Sequence, residues 1–310
     1  MDELLTHLSP CAPPQSKGGA NELITRAIIQ CANNKRSQSQ AEIDLLHCVK
    51  HSRVVKCAND KPTTFETMSI SKAAIGLAFL LENVDVEQFL LPDSNITLKM
   101  ALCHQTGVED DISFDFDTFM DTVKGKDAYA YAVKTFLEKK KQSKPHFEYC
   151  NIVWHILVYR FQQITGKQVD KVIGAKLKDG YRWKKDGKGF PYGPNGMQLS
   201  LDSAVQFALL AAKQLKNITP PYPRVKAQYW KGTVPEVNVH CYFGWWIAIK
   251  DDKPVVAYAV GFNTQFICID LTANAMPCEI QFRGPKFWEP PSEYEEMFVK
   301  RYIYKVLVNM

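Results

Sequence analysis

Apolar residues recur with two different periods along this chain, and the changes of period divide it into stretches. "NELITRAIIQCANN" (21–34) carries Leu23, Ile24, Ala27, Ile28 and Cys31 at helical spacing with Asn21 placed to cap it, which predicts a helix. "IDLLHCVK" and "RVVKCAN" follow as short β-like runs around the turn-like "HS", predicting a hairpin that leads into Ser69. From Ala73 to Lys216 the period is helical, in "KAAIGLAFLLENV", "LKMALCHQ", "AYAYAVKTFLEKKKQ", "YCNIVWHILVYRFQQITG" and "SLDSAVQFALLAAKQL". The last opens on Ser200 as a candidate N-cap, with Ser203 rather than Glu or Gln three residues on. Past "ITPPYPR" the pattern becomes that of strands, in "HCYFGWWIAIK", "KPVVAYAVGF" and "TQFICIDLT", separated by "DDK" and "FN". "PSEYEEMFVKRYIYKVLV" returns to helix, with Ser292 and Glu295 at capping-box spacing and Met297, Phe298, Tyr302, Ile303 and Val306 on one stripe.

This order predicts an α+β fold: an antiparallel sheet assembled from both ends of the chain and flanked by terminal helices, plus an inserted all-helical lobe. The expected boundaries are a single domain, 1–310, with an α/β lobe over about 1–72 and 225–310 and a helical lobe over about 73–224. A site is expected in the cleft between the lobes.

Composition narrows the function classes. A content of 46% hydrophobic and 23% charged residues is that of a globular protein, which excludes disordered, collagenous and coiled-coil readings. The net charge of +5 is mild, and the lysine runs "KKKQSK" (139–144) and "KKDGK" (184–188) read as solvated surface, so no nucleic-acid partner is expected. Nine cysteines are scattered with no C-x-x-C pair, mostly in apolar segments, which predicts reduced, buried thiols and a reducing compartment. The opening "MDELLTHLSPCAPPQSKGG" starts acidic without a long apolar core, and no apolar run approaches the ~20 residues of a membrane span. A cytoplasmic protein is expected. Asp110, Asp111, Asp115 and Asp117 lack the spacing and glycine of a calcium loop, and no phosphate-binding glycine loop occurs, so neither metal nor cofactor is expected.

The chemistry-bearing residues begin with Ser69 and Lys72, the chain's single Ser-x-x-Lys. By residue frequencies about one copy is expected in a chain of this size, so the motif says little without its position. On the first turn of a helix the spacing puts both side chains on one face, where a partly desolvated lysine can accept the serine's proton. Alternatively Ser69 caps the helix and Lys72 reaches to solvent. A second constellation is "YCN", in which the Tyr149 phenol could relay a proton and Asn151 could bind a substrate amide or fix the lysine; the plainer reading is a half-buried aromatic and a helix cap. Cys150 with His146 or His155, and His104 as a base, are weaker candidates.

Taken together, these motifs resemble the serine β-lactamase and penicillin-binding-protein superfamily, especially its class C, esterase and 6-aminohexanoate-dimer-hydrolase branch. "FETMSISKAAIG" is similar to that branch's Phe-x-x-x-Ser-x-Ser-Lys helix start, and "FEYCN" to its Tyr-Ser-Asn motif. "ITLKMALCHQTGV" resembles its segment ending in His-Thr-Ser-Gly, where the histidine, here His104, is structural. "GPNGMQLSLDSAVQFALL" resembles its helix entry, "YFGWWI" its Tyr-Gly-x-Gly-Trp strand, and "VGFNTQFICIDLT" the strand that carries its third motif, over about nine tenths of the chain in all. The resemblance implies a β-lactamase/transpeptidase-like fold, Ser69 as nucleophile, Lys72 and Tyr149 as proton carriers, and Asn151 orienting lysine and substrate. It also implies that backbone N–H groups of Ser69 and Gln265 hold the oxyanion. The family's Lys-Thr-Gly or His-x-Gly aligns with Phe262, Asn263 and Thr264, so its cationic or imidazole side chain is replaced. The function implied is a serine hydrolase that cleaves a small-molecule or peptide-like amide or ester through an acyl-enzyme. The alternative is a catalytically silent relative that binds a ligand or protein partner through the same cleft.

Overall fold

The structure is a computed structural model. It describes residues 27–30, 45–49, 64–92, 94–108, 116–123, 127–140, 146–177, 179–216, 218, 237–262, 265–272, 278–282, 302–303 and 306–308. In chain order the elements are β1 (Ala27–Gln30), β2 (Leu45–Val49), β3 (Phe65–Glu66), α1 (Ile70–Leu81), α2 (Leu98–Leu102), α3 (Phe116–Val123), α4 (Ala128–Lys140), α5 (Ile152–Thr165) and α6 (Val169–Gly174). They continue with β4 (Tyr181–Trp183), β5 (Met197–Leu199), α7 (Leu201–Leu215), β6 (Asn238–Tyr242), β7 (Trp245–Lys250), β8 (Lys253–Gly261), β9 (Gln265–Asp270) and β10 (Cys278–Phe282).

Both ends of the chain meet in one seven-stranded antiparallel sheet, ordered β1-β2-β10-β9-β8-β7-β6. Alternate residues of its central strands serve different cores, as the two-residue period of a strand requires. Ala257, Ala259, Ile267 and Ile269 face the large core that α1 and α7 share, whereas Val256, Tyr258, Phe266 and Cys268 pack with Tyr302, Ile303 and Val306 on the other face. The expected C-terminal helix is thus present at its described residues; Ser292, Glu295, Met297 and Phe298 lie outside them.

Two expectations are corrected, and a third falls partly outside the described residues. Ala27–Gln30, expected inside a helix, form strand β1 on β2, because Ile28 and Ile29 are β-branched and a sheet edge was available to them. Of the hairpin expected between "IDLLHCVK" and "RVVKCAN", the first segment supplies β2, which pairs with β1 and β10, and the second lies outside the described residues. "HCYFGWWIAIK" is two strands, β6 and β7, broken by Phe243 (φ +50°) and Gly244 (φ +76°). Positive φ at both centres is the hairpin turn that matches strand twist.

The helical part is centred on α5, buried from Ile152 to Tyr159 and packed on α1, α2 and α4. Ser200 caps α7 as expected, its hydroxyl accepting the Ser203 N–H at 3.2 Å. A small second sheet, β3-β5-β4, links the segment before α1 to the segment before α7. That linkage positions the site.

Candidate active site

The approach to α1 is fixed from β5. Thr67 donates both its N–H and its hydroxyl to the Met197 carbonyl, at 3.0 and 2.9 Å. Met68 then adopts φ +50°, a left-handed conformation that costs a non-glycine residue about 1 kcal/mol or more and so needs support. Ser71 supplies it: its hydroxyl donates to the Met68 carbonyl at 2.8 Å and accepts the Met197 N–H at 3.1 Å. Ser69 is thereby presented half-buried at the N-cap position of α1, yet its side chain makes no capping hydrogen bond.

Its hydroxyl is engaged elsewhere. Lys72 Nζ donates to Ser69 Oγ at 2.9 Å, and the Tyr149 hydroxyl donates to the same oxygen at 3.0 Å. Lys72 does not reach to solvent; it is 2% exposed, its Nζ lies 5.0 Å from the centre of the Tyr149 ring, and its other hydrogen bond goes to the Pro194 carbonyl at 2.9 Å. A carbonyl only accepts, so Pro194 holds one N–H of Lys72 and fixes where the nitrogen lies relative to Ser69 Oγ. The plain reading of both residues, a cap and a surface lysine, is not what the geometry contains.

His104 lies behind Tyr149. The two rings stack with centroids 4.5 Å apart and planes 18° from parallel, and His104 Nδ1 accepts the Cys150 N–H at 3.2 Å. Burial holds its basicity well below the ordinary imidazole range, which keeps it neutral. Cys150 is fully buried, and His155 packs against Asp186, Phe119 and Tyr192; neither reaches Ser69 Oγ, whose partners are Lys72 and Tyr149.

Asn151 is half-buried at the start of α5 and makes no side-chain cap there. The lysine's second hydrogen bond is to Pro194 rather than to Asn151. Phe262 is half-buried at the end of β8, and Gln265 opens β9 opposite Gly261 with 1% exposure; Asn263 and Thr264 lie outside the described residues. Gly261 brings this hairpin against the turn that leads into Ser69: a Cβ there would lie 2.3 Å from the Thr67 carbonyl oxygen and 3.1 Å from Met68 Cβ.

Pro194 escaped the sequence reading because it acts through its backbone, which no motif records. The available signal was the glycine before it. A Cβ on Gly193 would stand 2.3 Å from the Trp154 carbonyl oxygen, so only glycine lets this loop lie on α5. Trp183 Nε1 pins the same loop by donating to the Tyr192 carbonyl at 2.9 Å. Among the described residues no group of three His, Cys, Asp or Glu side chains could hold a metal, and no helix is long and apolar enough to cross a membrane.

No family model matches the chain, and no curated protein matches it in sequence. Solved structures do match it in shape. A Bacillus anthracis protein assigned as a 6-aminohexanoate-dimer hydrolase is similar with a TM-score of 0.57 and 15% identity, over 92% of this chain and 79% of that one. A Bacteroides dorei protein assigned as a β-lactamase gives 0.58 and 15%, over 86% and 93%. A Bacillus halodurans penicillin-binding protein gives 0.51 and 16%, over 81% and 88%. The chain therefore has the α+β fold of the serine β-lactamases and penicillin-binding proteins.

Proposed function

We propose that the protein is a serine hydrolase that cleaves an amide or ester through an acyl-enzyme on Ser69. The observation that carries this reading is the Ser69 hydroxyl, which caps no backbone group and instead receives Lys72 Nζ at 2.9 Å and the Tyr149 hydroxyl at 3.0 Å. Lys72 takes the hydroxyl proton as Oγ bonds to the substrate carbonyl carbon. The carbonyl's electron pair moves onto oxygen, where the backbone N–H groups of Ser69 and Gln265 receive it. Collapse expels the amine or alcohol, which takes a proton from the Tyr149 phenol, and Lys72 returns a proton to the phenolate. Water then attacks the ester with the same groups in reverse. Asn151, two residues after Tyr149 at the start of α5, is assigned to the substrate carbonyl or amide.

Phe262 stands where related proteins carry a cation or imidazole, so neutral esters and amides should acylate Ser69 faster than carboxylate-bearing penicillins. The same residue favours the second reading, a silent relative that only binds a ligand or partner. Cys103, Cys150, Cys241, Cys268 and Cys278 are buried thiols, which is consistent with a cytoplasmic location.

A fluorophosphonate probe with intact-mass detection separates the two readings. One covalent adduct on the native chain, absent from Ser69→Ala, supports the hydrolase. Absence of an adduct with fluorophosphonate, penicillin and activated esters alike supports the silent binder.

A further inference from the structure

His104 touches the chain on both sides of Tyr149 as well as the tyrosine itself. Its carbonyl accepts the Glu148 N–H at 2.8 Å and its Nδ1 accepts the Cys150 N–H at 3.2 Å, so the residues before and after Tyr149 hang from one histidine. A third bond, Gly107 N–H to the His146 carbonyl at 2.9 Å, extends the same clamp. Between these anchors the imidazole lies flat on the phenol ring, at 4.5 Å and 18°. Trp154 and Phe147 also border the imidazole, with ring centres 5.3 and 6.0 Å away, and His104 is 2% exposed. Its backbone is held at φ +55°, which directs the side chain into this position at a conformational cost. With Nδ1 accepting, the single proton of the neutral ring sits on Nε2, so the tautomer is fixed.

We infer that His104 is a positioning residue for Tyr149: its backbone and imidazole set the height and tilt of the phenol, so that the hydroxyl falls on Ser69 Oγ. The inference rests on the reading of Tyr149 as proton carrier to Ser69. His104 itself exchanges no proton in the reaction. Its ring must stay neutral, because a protonated Nδ1 would face the Cys150 N–H and break the clamp.

Two variants divide the contributions. His104→Asn keeps a side-chain acceptor and a residue tolerant of positive φ but removes the ring face; His104→Phe keeps a flat ring but removes the acceptor. Tyrosines labelled with ¹³C at Cζ report the phenols by NMR, and Tyr149→Phe identifies the Tyr149 signal. Both histidine variants are expected to shift that signal while the other tyrosine signals stay in place. Fluorophosphonate acylation is expected to slow by about 10²-fold, the loss typical of a reacting group displaced by about 1 Å, with probe affinity held within about twofold. In a Tyr149→Phe background the same histidine changes should cost nothing further.

An unmoved Tyr149 signal, or an equal His104 effect with and without the phenol, overturns the inference. If His104→Phe does not fold, His104→Asn decides alone. A wild-type chain that takes no fluorophosphonate, yet shows the Tyr149 signal moving in His104→Asn, sustains the positioning and defeats the hydrolase reading. The two therefore fail separately.

Discussion

Burying a lysine costs several kcal/mol unless hydrogen bonds replace its water, and Lys72 has two, to Ser69 Oγ and the Pro194 carbonyl. Replacing such a group by a hydrophobe of similar length removes the desolvation cost along with the chemistry. Lys72→Met should therefore abolish acylation of Ser69 while leaving the thermal midpoint unchanged or higher, as scanning calorimetry beside probe labelling would show. Tyr149→Phe keeps the ring on His104 and removes only the hydroxyl, so acylation should slow by about 10²-fold or more with little change in stability. Gly193→Ala acts at a distance. Its Cβ would meet the Trp154 carbonyl at 2.3 Å, a backbone atom that cannot swing aside, so the loop must lift and carry the Pro194 carbonyl away from Lys72. Slower labelling and a loss of about 1–3 kcal/mol in denaturant unfolding are the expected results.

Elements differ in how plainly the chain announces them. Helices α1, α4, α5 and α7 follow from apolar period and helix formers, and α7 from its Ser200 cap, whose removal in Ser200→Ala should cost about 1 kcal/mol in urea unfolding. Strand β1 was hidden, since "ELITRAIIQ" satisfies a helical period and only its place on β2 decides for the strand. The turn at Phe243 and Gly244 was hidden by the apolar run across it, although its purpose is visible in space. Gly76 of α1 lies so close that a Cβ there would be 1.8 Å from the Phe243 carbonyl oxygen. Helix α5 also carries a pH-dependent element. His155 is fully buried beside Asp186, with Tyr159 donating to the same carboxylate, and burial lowers its pKa from 6.5 to about 4. The unfolded chain thus binds a proton that the folded chain refuses, so stability from this group is full above pH 6.5 and lost as pH falls toward 4. At about 1.4 kcal/mol per pKa unit the loss approaches about 3 kcal/mol. His155→Phe, which fits the ring cluster of Phe119, Tyr159 and Tyr192 without titrating, should flatten the dependence of unfolding free energy on pH across that window.

At the scale of the whole molecule, the site exists because distant parts of the chain converge. Ser69 and Lys72 come from α1, Tyr149 from the segment before α5, Pro194 from the loop before β5, and Gly261 and Gln265 from the β8–β9 hairpin. Side chains that recur as motifs, Ser69, Lys72 and Tyr149, were legible in the sequence; the carbonyl of Pro194 and the missing Cβ of Gly261 were not, because a carbonyl is common to every residue and the close approach at Gly261 is visible only in space. Phe262 is the visible departure from the resembling family's third motif, and under the proposed reading it bears first on which substrate would enter. The central claim is that Ser69 forms an acyl-enzyme with Lys72 and Tyr149 moving its protons. Pre-steady-state release of p-nitrophenol from p-nitrophenyl acetate tests it most directly, because an accumulating acyl-enzyme produces a burst. The account predicts a burst of about one equivalent per chain, slowed in Tyr149→Phe and absent from Ser69→Ala and Lys72→Met. A burst that survives unchanged in Ser69→Ala, or no release above the uncatalysed rate by the native protein, would contradict it.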